Sequence, residues 1–251
     1  MKLIACDPLI GRPRVAAPGI ESSLDDFLGE MQRLQLSAAV VRHRVCTDIS
    51  PIHGNRVLMQ ELAGREGLFP AWGLTPDGQT PDFDIEATVR AMLGSGVKVA
   101  WIDPTAHEFS PQPWCSGAMY DILQQARVPL LADYSVLGPD AVHTISKEFP
   151  QLRLALLGVP RVGRNRMVYP LLRMHPNLHV CFTPTFSVFD GHRDLCDTFG
   201  PDRWLLGTGY PNAEGGSGIT GLMYSGLQGE AVEAIAYGNI ERLLAEVRHD
   251  I

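Results

Sequence analysis

Short apolar runs, each closing on a polar or glycine-rich turn, recur eight times along the chain. They are Leu3–Cys6, Ala38–Val41, Leu68–Trp72, Val97–Ile102, Val128–Ala132, Leu152–Leu157, Leu178–Phe182 and Trp204–Leu206. The runs are continuous rather than alternating, as in strands covered on both faces of a parallel sheet. Between them the apolar positions shift to helical spacing. Leu24, Phe27, Leu28, Met31 and Leu34 share one face, and Ser23 with Asp26 is placed to form a capping box. Ile85, Val89, Met92 and Leu93 repeat the spacing, with Gly94 or Gly96 as the stop. Val232, Ile235, Ala236, Leu243, Leu244 and Val247 predict a closing helix. Weaker helical patterns cover 54–65, 116–126, 138–149, 166–175 and 189–199, and Asn212–Gly218 reads as a long loop.

The strands recur about every thirty residues, the size of a βαβ unit. Eight such units use up the 251 residues. The fold expected is therefore an α/β (β/α)8 TIM barrel, a single domain over 1–251. An open doubly wound sheet is the rival, but no G-x-G-x-x-G follows the first strand. Hydrophobic residues make up 45% of the chain and charged residues 20%, enough for a large core. Lys and Arg number 21 against 28 Asp and Glu, a net charge of −7, which argues against nucleic-acid and anionic-membrane partners. The five cysteines are odd in number and none are spaced C-x-x-C. Neither a disulfide framework nor a cysteine zinc site is expected. The N-terminal apolar stretch is too short for a signal-peptide core, and no run reaches the roughly 18 residues of a membrane span. These features make a cytoplasmic protein the expectation.

In a barrel of this kind the chemistry sits at the C-terminal ends of the strands. Asp7 and Asp133 each follow a strand directly and are the catalytic candidates, either as ligand-orienting carboxylates or as a general base. The plainer reading is a structural carboxylate that accepts backbone N–H bonds or pairs with an arginine. Arg12, Arg14, Arg42, Arg44, Arg161, Arg164 and Arg166 gather after the first, second and sixth strands. Guanidinium groups grip carboxylates and phosphates through two bonds at once, so a small anionic molecule is the ligand they suggest. Arg12, Arg42 and Arg161 are the candidates among them. Trp72 is placed to stack on a ligand, and Thr208 and Tyr210 end the last strand. Cys6 is read as packing, alternating away from Asp7.

Four stretches resemble one family. They are Phe149-Pro150-Gln151-Leu152-Arg153, His175-Pro176-Asn177-Leu178, the closing phrase Phe199 to Pro211 (FGPDRWLLGTGYP), and Gly238-Asn239-Ile240-Glu241-Arg242-Leu243-Leu244. Their order and spacing are similar to those of the amidohydrolase-related metal-dependent hydrolases and decarboxylases, over essentially the whole chain. The resemblance implies a TIM barrel and hydrolysis or decarboxylation of a small carboxylate-bearing molecule. It also implies a divalent metal held by an H-x-H after strand 1, histidines after strands 5 and 6, and an Asp after strand 8. Aligned on this chain, those positions are Leu9 and Gly11, Asp133, Gly158 and Gly209. Only Asp133 carries a donor, whereas a catalytic metal needs three or more protein ligands. No cofactor is therefore expected. His43 and His107, with Asp7 and Asp133, are the residues from which a replacement metal site would have to be built. The alternative to an enzyme is a metal-free relative that binds a small molecule or a partner.

Overall fold

The computed structural model describes residues 1–14, 22–78, 84–160, 166–186 and 190–251. Among these residues nine strands run parallel: β1 (Ile4–Ala5), β2 (Leu9–Ile10), β3 (Ala38–His43), β4 (Leu68–Gly73), β5 (Val99–Ile102), β6 (Leu130–Asp133), β7 (Leu154–Leu157), β8 (His179–Phe182) and β9 (Trp204–Leu206). Their order is β1-β3-β4-β5-β6-β7-β8-β9, with β2 also paired to β3. The ring is drawn shut where Cys6 N donates to Leu206 O at 2.8 Å and Leu9 N to Tyr210 O at 3.2 Å. β1 and β2 are thus two halves of one barrel strand, and the architecture is the expected eight-stranded (β/α)8 barrel.

The break in that first strand is a bulge. Ile4 pairs with Ala38 and Leu9 with Arg42, so five residue steps on one strand face four on the other. The extra residue falls between Cys6 and Pro8 and resets the side-chain alternation there. This is why Cys6 can face the barrel interior while Asp7 turns toward the last strand.

Two apolar clusters follow from the period-two alternation of the strands. Ile4, Cys6, Val40, Ala71, Val99, Trp101, Leu131, Leu157, Cys181 and Leu205 fill the barrel, with Leu243 and Leu244 below them. The alternate positions, among them Ala39, Val41, Ala100, Ile102, Leu130, Leu156 and Val180, pack under the helices. Helix α1 (Leu24–Leu34) shows how local chemistry sets an element. Ser23 and Asp26 form the capping box, while Leu24, Phe27 and Leu34 bury one face. The helix ends at Gln35 in the left-handed region.

The elements depart from the sequence reading in a few places. β3 runs on to His43, so Arg42 lies inside a strand rather than in the loop after it. A short helix α2 (Val45–Asp48) folds in before α3 (Pro51–Glu61). Helices α4 (Ile85–Gly94), α5 (Pro113–Gln125), α6 (Tyr134–Glu148), α7 (Val168–Met174) and α8 (Gly191–Phe199) match the expected positions, although α6 breaks at Gly138. The stretch Asn212–Gly218 is not simply a long loop. Glu214 accepts bonds from Gly216 N and Ser217 N and starts helix α9 (Gly215–Met223). A side-chain cap on a glycine-rich turn is a helix start that composition alone reads as a loop. The chain closes through α10 (Gly229–Glu233), a π-turn over Ala234–Gly238, and α11 (Asn239–Ala245). Among the described residues, no helix is long and apolar enough to cross a membrane.

Parts of the phrases that carry the family resemblance are clasps at the N-terminal end of the barrel. Asn239 donates to Pro201 O at 2.8 Å and Trp204 O at 2.9 Å, and Trp204 Nε1 donates to Gly200 O at 2.7 Å. Arg203 reaches Leu172 O at 2.5 Å, and Arg242 reaches Asp202 O at 2.9 Å. Each satisfies a carbonyl that the turn would otherwise leave unpaired.

Candidate active site

Arg42 organises the C-terminal mouth. Its position on β3 points inward, and the side chain crosses the barrel. Nη1 stands 3.2 Å from Asp133 Oδ2, and Nη2 donates to Asp7 O at 2.9 Å. The guanidinium lies 5.5 Å from the ring centre of Trp101, which rises beneath it from β5. The Arg42 side chain is 9% exposed and that of Asp133 is 40% exposed, so the pair is buried at one end and wet at the other. Arg42 Nε and Trp101 Nε1 are buried donors without a hydrogen-bond partner among the described residues. Buried donors are normally satisfied, and these two are not.

Asp7 has a different role. Its Oδ1 accepts from Thr208 N at 2.7 Å and Thr208 Oγ1 at 3.3 Å, and its Oδ2 accepts from Gly209 N at 2.7 Å. The carboxylate locks the end of the last strand to the bulge in the first. Burial pushes its pKa above the ordinary aspartate value, outweighing the pull of the Thr208 and Gly209 N–H groups and of Arg42. The packing around it is close. A Cβ on Gly207 would lie 2.7 Å from Cys181 Sγ and 2.9 Å from Asp7 Oδ2. Burial, and secondarily Asp7, pushes the Cys6 thiol above its usual range, and Cys181 is raised for the same reasons. Both thiols are packing groups.

The two aspartates do converge at one end with Gly158 and Gly209. A Cβ on Gly158 would be 3.5 Å from Asp133 Oδ1, and Asp7 holds Gly209. The ligand candidates scatter. Arg42 is at the mouth. Arg12 is exposed, and it acts electrostatically on Asp26 at the start of α1. Trp72 is at an outward-facing position of β4 and lines an apolar groove of about 560 Å³ with Asn55, Met59 and Ala91, between α3 and α4. Tyr210 packs on Phe27 of α1 with the rings tilted by 48° and their centres 4.9 Å apart. Thr208 is 1% exposed and spends its hydroxyl on Asp7. Trp72 and Tyr210 thus pack toward the helices, while Thr208 stays at the strand end, bound to Asp7. Arg161 lies outside the described residues.

Two mouth residues were not singled out from the sequence. Trp101 is two positions on from Val99 and so shares its inward face, a signal that alternation carries. Cys46, on α2, reaches into the barrel interior and is covered by Gly54 and Gly73. His107 Nε2 bonds to Cys46 O at 2.8 Å, and Asn55 bonds both N and O of Gly73. Together they fix α2 as a roof over one side of the mouth.

The donor set does not fit a divalent metal. Leu9, Gly11, Gly158 and Gly209 offer no side-chain ligand, and Asp133 faces a guanidinium. Among the described residues no three His, Cys, Asp or Glu side chains stand together as a metal site. His43 cannot join Asp133. It faces outward, accepts from Val45 N at 3.1 Å and stands 3.5 Å from Glu61.

No family model matches the sequence, and no curated protein matches it significantly. The fold does match solved structures. The chain superposes on an uncharacterized TIM-barrel protein from Bordetella bronchiseptica with a TM-score of 0.73, at 19% identity, over 98% of this chain and 99% of that one. It matches 2,6-dihydroxybenzoate decarboxylase from Rhizobium at 0.73, with 16% identity over 97% and 98%. It matches a dihydroxybenzoic acid decarboxylase from Polaromonas, solved with manganese and 2-nitroresorcinol, at 0.72, with 12% identity over 97% and 96%. The shared feature is the fold, a TIM barrel that spans nearly the whole of each chain.

Proposed function

We propose that this chain is an amidohydrolase-like enzyme that hydrolyses or decarboxylates a small carboxylate-bearing molecule at the barrel mouth, without a metal such as the manganese bound in the Polaromonas decarboxylase structure. The observation that carries this reading is Arg42, a buried cation over Trp101 whose Nε, like Trp101 Nε1, still has a proton to donate. A ligand carboxylate that reached Arg42 Nε would gain a charge-assisted bond in a site largely screened from water. Asp133 is the mouth carboxylate left to move a proton, since both oxygens of Asp7 are already engaged. Similarity to decarboxylases of hydroxybenzoates supports the substrate class.

The engagement of Asp7 also favours a second reading, a barrel that binds the carboxylate without turning it over. One experiment separates the two. Chelator-treated protein is screened by thermal shift against substituted benzoates and aliphatic dicarboxylates, with their neutral amides as controls. Hits are then followed by NMR for loss of the carboxylate or ring opening. Saturable stabilisation by carboxylates, weaker in Arg42→Met, supports the site. Turnover supports the enzyme, and binding without turnover supports the second reading. Stabilisation by the amides alone would overturn both.

A further inference from the structure

The opposite end of the barrel holds a second cationic site. A cavity of about 210 Å³ opens where the chain enters β7 and β8. It is lined by Arg127, Arg153 and Arg248, together with the amide side chains of Gln125, Gln151 and Asn177. One carboxylate, Glu246, answers the three guanidinium groups. It pairs with Arg153 and stands 3.7 Å from Arg127. The local balance is three positive charges against one negative, in a protein whose net charge is −7. Arg153 is held in place, its side chain 11% exposed and its Nη1 donating to Arg127 O at 3.3 Å. The Arg248 guanidinium has no partner among the described residues; only its backbone is tied, N to Ala126 O at 2.8 Å. Three guanidinium groups that share one carboxylate, with amide side chains beside them, make a donor-rich pocket, and its excess of two charges equals that of a phosphate monoester dianion. Such an anion offers three oxygens to a pocket lined by donors, where a carboxylate offers two.

A second cavity of about 430 Å³ adjoins the first, sharing Gln151 and Asn177. Its walls include Leu152, Met174, Pro176 and Leu178, with His143 and His175. It gives room for the body of a ligand whose charged group sits among the arginines.

We infer that the N-terminal face of this barrel binds the phosphate group of a small phosphorylated molecule between Arg127, Arg153 and Arg248, separately from the mouth. The test is isothermal titration of the full chain with inorganic phosphate and with a nucleoside monophosphate, at ionic strength held constant with chloride. It is run on the wild type and on Arg248→Ala, Arg127→Ala and Arg42→Met. The expected result is saturable millimolar or tighter binding of both ligands, with the monophosphate the tighter. Each N-terminal-face arginine variant should weaken binding about tenfold or more, and Arg42→Met should leave it unchanged. Both arginines replaced are surface side chains, and circular dichroism verifies that the variants fold. No saturable phosphate binding by the wild type, wild-type affinity in Arg248→Ala and Arg127→Ala, or loss of binding in Arg42→Met would each overturn the proposal. Failure here leaves the carboxylate site at the mouth untouched, because that site is read out by different ligands and by Arg42.

Discussion

Arg42 Nη1, on the second barrel strand, stands 3.2 Å from Asp133 Oδ2, on the fifth, so one side chain spans the mouth. The pair adds little to stability. Asp133 is 40% exposed, and an ion pair so open to solvent contributes of order 1 kcal/mol or less. Its value is positional. Asp133 engages Nη1 and leaves Nε open, so the proposed carboxylate would bind beside the pair rather than in place of it.

Arg42→Lys tests that role. Lysine keeps the charge but loses the planar fork and the second set of donors. Carboxylate affinity should fall roughly ten- to a hundredfold in Arg42→Ala, at 1.4 kcal/mol per decade, and recover only in part in Arg42→Lys. Titration calorimetry with the best carboxylate from the screen measures both.

Treatment with a chelator should leave carboxylate binding and the melting temperature unchanged. Four of the five family ligand positions hold Leu9, Gly11, Gly158 and Gly209, and the fifth, Asp133, is committed to Arg42. Loss of binding that returns with manganese or zinc would contradict the metal-free reading.

Asp7→Ala should cost about 2–5 kcal/mol, because the buried N–H groups of Thr208 and Gly209 lose their acceptor together. Urea denaturation should show the loss. A variant as stable as the wild type would mean that the first and last strands are held together by other means.

Gly54→Ala tests the roof. The new methyl would lie 2.3 Å from Cys46 N and 2.6 Å from its Cα, backbone that cannot rotate away. Helix α2 must shift, at a cost of about 2 kcal/mol or more. Thermal melts measure the cost. Carboxylate affinity, if it changes as well, reports that the roof shapes the mouth.

Acid should destabilise the fold partly through His179. Burial, and then Arg242, Arg153 and Arg203, push its pKa down to about 3 from an ordinary 6.5. The folded state keeps His179 neutral while the unfolded chain takes up a proton, so stability present above pH 6.5 is lost as pH falls toward 3. Between pH 7 and pH 5 that amounts to about 2 kcal/mol. Asp7 runs the other way. Its raised pKa gives stability present below the ordinary aspartate value and lost as pH rises through the folded value. Comparing urea melts of the wild type and His179→Leu at the two pH values isolates the histidine. An acid limb equally steep in the variant would sink the assignment.

The barrel was legible in the sequence because its cause is local and repeated. Apolar runs buried on both faces recur with a fixed spacing, and the capping box at Ser23 and Asp26 starts α1 as its residues require. The closing phrases were legible only as a family resemblance, since the bonds of Asn239 and Arg203 reach 28 to 38 positions along the chain. The mouth was read only in part. Asp7 and Asp133 were found at strand ends. The bulge that turns Asp7 toward Thr208 depends on the register between two strands more than thirty residues apart, which no local pattern records. Trp72 and Arg42 are both the penultimate residues of their strands, yet Trp72 faces the helices and Arg42 the barrel. A side chain's direction at a strand end depends on alternation and bulges counted from the paired strand. The sequence by itself determined which elements form and which residues can carry charge. Tertiary structure alone decided that Arg42 meets Asp133 across the barrel, because that contact joins residues 91 positions apart through the closure of the ring.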